Sequence, residues 1–171
     1  ILLKNALGAG EIIGLNWQQI QVKSPRLNLL FNYPYLFRSP VGLDFSFDIL
    51  RKDSSFVNIN LQLGAQYTLN ANQSGKLFIQ RFQTSVSSAG INAAQIIQSR
   101  RLPDLSDVSS FNVGVDYELS NTDYRLNPRK GNEIKFITSI GSKKLRKNTE
   151  VTDLKDPNDP SFDFNSLYDT V

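Results

Sequence analysis

The 171-residue chain contains no cysteine, no histidine and no methionine. Without cysteine there is neither a disulfide framework nor a thiolate nucleophile. Without histidine as well, the usual zinc sites, Ser–His and Cys–His dyads, and haem ligation by those residues are excluded. Long apolar runs are missing too: no window approaches about 18 consecutive apolar residues, so the chain carries no transmembrane helix. A mean hydropathy of −0.29 leaves a membrane β-barrel open, because barrel strands alternate apolar and polar residues. The net charge of +3 is small and argues against a dedicated nucleic-acid binder. Neither an initiator methionine nor a signal-peptide pattern precedes Ile1. The chain is therefore expected to be an interior piece of a longer protein.

What is present is a period of two. In "FVNINLQLGAQYTLN" Val57, Ile59, Leu61, Leu63, Ala65, Tyr67 and Leu69 share one face, and amides, Thr68 and Gly64 fill most of the other. "VGLDFSFDI" sets Val41, Leu43, Phe45, Phe47 and Ile49 against Gly42, Asp44, Ser46 and Asp48. "SFNVGVDYEL" sets Phe111, Val113, Val115, Tyr117 and Leu119 against Ser110, Asn112, Gly114, Asp116 and Glu118. "RLNLLFNY" alternates through Leu27, Leu29, Phe31 and Tyr33, and "EIKFITSIGS" through Ile134, Phe136, Thr138 and Ile140. "EIIGLNWQQIQV" and "KLFIQRFQTSV" alternate less cleanly. The pattern predicts about seven strands, most of them longer than the usual ~5–6 residues.

The connections sort by length. Short turn chemistry occurs at "RSP", "NANQSG" and "NPRKG". The long connections, 87–108 and everything after about 148, fall together at the opposite end if consecutive strands are antiparallel neighbours. Outer-membrane barrels sort their loops this way, with short periplasmic turns and long extracellular loops. Within the first long connection "INAAQIIQSRRL" predicts a short helix packing over the rim.

Alternation alone fits either a lipid-facing wall or a soluble β-barrel or sandwich. Three features favour lipid: polar faces rich in Asn, Gln, Ser, Asp and Gly rather than Lys and Glu; strands that reach the ~9–11 residues a tilted membrane strand needs; and aromatics near strand ends, such as Tyr33, Tyr35, Phe37, Tyr117 and Tyr124. On this reading Leu43, Phe45, Phe47, Val57, Ile59, Leu61, Leu63, Val113, Val115, Ile134 and Phe136 face lipid.

Three phrases carry a family resemblance. Asn32, Pro34, Tyr35, Phe37 and Gly42 resemble an N/D-P-Y-F phrase before a short turn, with Tyr33 and Leu36 interposed. Asp123, Arg125, Pro128 and Gly131 resemble a D-R-x-x-P-x-x-G turn, with Tyr124 interposed. Leu7, Gly8 and Gly10 resemble an L-G-x-G turn. In order and spacing the chain resembles the barrel of the BamA/TamA-type outer-membrane assembly proteins (the bacterial surface antigen family), and "RLPDL" resembles phrases in homologues from Bacteroidetes-type bacteria.

That resemblance implies an all-β fold, a transmembrane antiparallel barrel portion spanning 1–171 and belonging to a larger barrel of about sixteen strands. It implies POTRA domains before the chain, and a V-R-G-F/Y loop with the rest of the barrel after it. It also implies a Gram-negative outer-membrane location and a role in folding and inserting other outer-membrane proteins. The implied partners are lipid and lipopolysaccharide, nascent outer-membrane proteins and periplasmic or lipoprotein accessory subunits, with no cofactor. The rival readings are a two-partner-secretion-type transporter or porin-like channel, and a soluble barrel holding an apolar ligand.

Four groups of polar residues are weighed as candidate sites. Asn127, Pro128, Arg129, Lys130 and Gly131 form the expected periplasmic turn. Lys143, Lys144, Arg146 and Lys147 cluster at the long-loop end, where lipopolysaccharide phosphates lie, although a solvated strand end explains them as well. Asp153, Asp156, Asp159 and Asp163 depart from calcium-loop spacing and read as an acidic solvated loop. Asp44, Asp48, Asp116 and Glu118 alternate on polar faces as a hydrogen-bonded wall rather than as catalytic pairs, and no enzyme is expected.

Overall fold

The computed structural model describes residues 1–103, 106–124 and 127–169. Eight strands form one antiparallel meander in chain order: β1 (Leu2–Lys4), β2 (Ile12–Gln21), β3 (Ser24–Tyr33), β4 (Val41–Lys52), β5 (Phe56–Asn70), β6 (Gln73–Val86), β7 (Val108–Ser120) and β8 (Glu133–Leu145). Each strand pairs with its sequence neighbour, and β1 and β8 are the two edges of an open sheet. The sequence pattern accounts for β2 to β8. The eighth strand, β1, is three residues long, too short to show a period, and is held by pairing Leu3 with Ile13.

Register puts the alternating residues into rows. Leu3, Ile13, Phe31, Phe45, Leu63, Ile79, Val113 and Ile140 lie side by side across all eight strands on one face. Gly64, Phe78 and Gly114 lie in a row on the other. The burial order is inverted relative to a water-soluble sheet. Along β5 and β7 the apolar side chains Leu61, Leu63, Val113 and Val115 are exposed, whereas Gln62, Gly64, Asn112 and Gly114 between them are shielded. The polar face is thus the sheltered side of the curved sheet, and no helix covers the apolar one among the described residues.

Phe78 and Val86 are buried singly on β6, but the apolar cluster of buried residues lies off the sheet. Helix α1 (Ala93–Ser99) in the long β6–β7 connection brings Ile96 against Val151 of α2 (Thr149–Thr152) and Phe164 of the 3-10 turn Phe164–Tyr168. All three side chains are at most 2% exposed. The expected helix is present, capped by Asn92, whose side chain accepts from the Gln95 N–H. Its apolar side packs on the segment after β8. The two long connections therefore do share one end, and they fold together there as a cap. No helix among the described residues is long and apolar enough to cross a membrane.

Candidate functional surfaces

The polar face is a hydrogen-bonded wall. Lys76 Nζ on β6 lies 3.2 Å from Asp44 on β4, reaching across Gly64 of β5, and 3.7 Å from Asp116 on the adjacent β7. Arg26 Nε donates to Asp48 at 2.8 Å, Gln80 Nε2 to Asn60 at 2.9 Å, and Thr84 Oγ1 to Asn58 at 2.9 Å. Lys135 approaches Glu118 at 3.4 Å. The four acidic strand residues are thus answered by cations or amides on neighbouring strands, and no two of them form a carboxylate dyad. These cross-strand pairs join the strands laterally on this side.

Every residue expected to face lipid lies on the single apolar face, from Leu43, Phe45 and Phe47 on β4 to Ile134 and Phe136 on β8. At the short-turn end that face carries Tyr67, Tyr117 and Phe136 in one row. Trp17 stands toward the opposite end, in the row of Leu27, Ile49 and Ile59. From Ile59 to Tyr67 the strand advances about 27 Å at ~3.4 Å per residue. At the ~40° tilt of barrel strands that is about 21 Å of height, close to the ~25 Å apolar band of an outer-membrane barrel.

The face is broken on β6 by a charge that the sequence pattern conceals. Arg81 sits between Leu61 and Phe111 in the apolar register, in phase with Leu77 and Ile79 on its own strand. The irregular alternation of "KLFIQRFQTSV" was its only trace.

The turn at "NPRKG" is longer than a simple hairpin, since β7 ends at Ser120 and β8 begins at Glu133. Its arms zip through Asn121 N–H to the Asn132 carbonyl at 2.9 Å and Asp123 N–H to the Lys130 carbonyl at 3.0 Å. The Asp123 carboxylate accepts the N–H groups of Arg129 at 2.9 Å and Lys130 at 3.0 Å. These amides, that of Lys130 foremost, hold the Asp123 carboxyl below its ordinary range. Gly131 has φ +106°, and a Cβ there would collide with the Asn121 carbonyl oxygen. Asp123 and Gly131 are therefore structural determinants of the tip; Arg125, the other charged member of the phrase, lies outside the described residues.

A second acid-centred turn went unread in the sequence. The Glu11 side chain, fully enclosed, accepts the N–H groups of Leu7 and Ala9, and the Leu7 amide leads in lowering its pKa. Gly8 at φ +81° and Gly10 at φ +78° let the loop wrap around it.

The basic cluster straddles the end of β8. Lys144 pairs with Ser109 on the apolar face, Lys143 with Ser110 on the polar face. The Arg146 N–H donates to the Asp107 carbonyl at 2.8 Å, and Lys147 lies 3.8 Å from Asp169. Strand alternation thus puts the adjacent Lys143 and Lys144 on opposite faces of the sheet. The acidic loop is internally accounted for as well: Arg100 approaches Asp156 at 3.5 Å and Asp159 at 3.0 Å, and stacks 4.5 Å above the Phe162 ring. Asp163 caps the last 3-10 turn through the Asn165 N–H.

An open antiparallel meander with a sheltered polar face and an exposed apolar face is the architecture of a β-barrel wall. Compared with known proteins, the chain matches no family model and no curated protein. Among solved structures it is similar to the crystal structure of BamA from Haemophilus ducreyi lacking POTRA domains 1-3, with a TM-score of 0.53 and 16% sequence identity. The match covers 88% of this chain and 31% of that one, so the chain spans about a third of its structural neighbour. At that identity the likeness establishes the fold, an all-β antiparallel barrel segment.

Proposed function

We propose that this chain is part of the wall of a Gram-negative outer-membrane β-barrel of the BamA/TamA type, a non-enzymatic factor that helps other outer-membrane proteins fold and insert. The observation that carries the reading is the inverted burial along β5 to β7: Leu61, Leu63, Leu77, Ile79, Val113 and Val115 are exposed, while the amides and glycines between them are shielded. Exposed apolar area on this scale is not tolerated in water, and hydrocarbon is the solvent that matches it. The likeness to a BamA barrel supports the particular class. In this reading Leu43 to Phe136 on the apolar face meet lipid, the Asp123 turn lies in the periplasm, and the Ile96–Val151–Phe164 cap lies outside the cell. The partners are outer-membrane lipid and lipopolysaccharide, nascent barrel proteins whose open strand edges are costly in hydrocarbon, and periplasmic accessory subunits.

The test is depletion of the full-length protein in its own cell. Other outer-membrane barrels should then lose their folded, heat-modifiable gel form. A transporter of the same architecture predicts unchanged barrels and loss of one exported substrate. A soluble ligand-binding barrel predicts full-length protein that does not sediment with membranes.

A further inference from the structure

The apolar band is not equally deep across the sheet. On β4 the outermost row of the apolar face toward the long connections carries Arg51, opposite Val57 and in line with Ser85. The next two rows inward are apolar on β4 and β5: Ile49 with Ile59, then Phe47 with Leu61. Continued onto β6, those same rows read Gln83 and Arg81. On β8 they read Lys144 and Ser142, with Ser109 and Phe111 between on β7. Arg81 therefore stands two rows inside the level of Arg51. That is about 14 Å along the strand direction.

Neither Arg81 nor Lys144 has an ion-pair partner among the described residues, in contrast to Arg26, Lys76, Arg100 and Lys147. A depression of about 280 Å³ opens between the strands here, lined by Arg81, Ser109, Ser110, Phe111, Ser142 and Lys144. An unanswered guanidinium aimed into hydrocarbon is expensive. An anion brought to the guanidinium would offset that cost.

We infer that Arg81 and Lys144 seat the phosphate of an anionic lipid headgroup, drawing the leaflet on the long-connection side inward at β6–β8. Two cations and the hydroxyls of Ser109 and Ser142 are donors that match phosphate oxygens. The apolar rows of Leu63, Ile79, Val113 and Ile140 directly below accept the acyl chains. A free anion uses only the donors, and that continuity favours a lipid. This inference rests on the outer-membrane reading.

The experiment uses delipidated full-length protein in nonionic detergent, with diphosphoryl lipid A as the probe and retention read by native mass spectrometry. Wild type should retain the lipid, and Arg81→Gln with Lys144→Gln should lower retention at least about tenfold. Arg81→Lys with Lys144→Arg should retain it, as should Lys4→Gln at the far corner of the sheet. Folding of each variant is checked by heat-modifiable mobility. If the double variant does not fold, Lys144→Gln alone takes its place with the same expected loss. Undiminished retention in the folded neutral variant overturns the inference and leaves the membrane reading standing. Displacement of the lipid by equimolar inorganic phosphate overturns it in favour of a free-anion site. Wild-type protein that never sediments with membranes overturns both.

Discussion

The ring of Phe78 on β6 packs against the backbone of Gly114 on β7, so closely that a Cβ at Gly114 would lie 2.4 Å from Phe78 Cζ. Phe78 is 7% exposed although it belongs to the polar face. Gly64 and Gly114 flank it in register; the ring lies over Gly114, while the Lys76 side chain lies over Gly64. Gly114→Ala should destabilise the full-length protein by about 1–3 kcal/mol, the usual cost of overpacking. Phe78→Leu in the same molecule should return part of it. Urea unfolding in lipid vesicles measures both, and additive costs would mean that the ring and the glycine are not coupled.

The row of Leu63, with Phe45 and Ile79 beside it, is the deepest uninterrupted apolar level of the sheet. Leu61, one row away, already borders Arg81 and is a poorer probe. Leu63→Arg should cost roughly 2–4 kcal/mol in the membrane-inserted protein, while Gln62→Arg on the sheltered polar face should cost far less. Vesicle-based unfolding titrations compare them, and equal costs would mean that the faces have been assigned to the wrong solvents.

Asp123 gives the β7–β8 tip a pH dependence of definite sign. Its folded pKa lies below the ordinary 3.8 because the Lys130 and Arg129 amides favour the carboxylate. The stabilisation is complete above the unfolded pKa and disappears as pH falls through the folded one. Amides of Arg129 and Lys130 should therefore be protected from hydrogen exchange near neutral pH, after correction for intrinsic rates. They should lose that excess protection when the pH is taken well below 3.8. Asp123→Asn should show no such transition, and a wild-type profile flat in pH would remove Asp123 from its place as organiser of the turn.

How far the chain could be read from its sequence depended on whether a residue acts through period or through contact. Val57 to Leu69 announce their strand and its two faces because pleating repeats every second residue. Leu2–Lys4 is too short for any period. Arg81 was hidden for the opposite reason: it occupies the right phase with the wrong chemistry, and only register reveals Leu61 and Phe111 beside it. The run Lys143, Lys144, Arg146 and Lys147 reads as one cluster because sequence adjacency does not say which face a side chain takes. Glu11 was missed because its role is fixed by turn amides, and hydrogen bonds of that kind leave no pattern in composition.

Asn148 is a further contact of this type, joining residues far apart in the chain. Its side-chain amide donates to the Val86 carbonyl and to Asp107, each at 3.0 Å, and its carbonyl oxygen accepts the Glu150 N–H at 2.9 Å. Its own N–H donates to the Tyr168 hydroxyl at 3.2 Å. One 8%-exposed residue thus ties the end of β6, the entry to β7, α2 and the last 3-10 turn into the cap. Asn148→Ala leaves the Val86 carbonyl and Asp107 without that donor and removes the α2 cap. The expected cost is about 1–3 kcal/mol, concentrated in the cap. Proteolysis of the full-length protein should accordingly accelerate within 87–107 and 146–169, while the heat-modifiable mobility of the barrel is kept. Loss of that mobility would instead show that the cap and the strands form one cooperative unit.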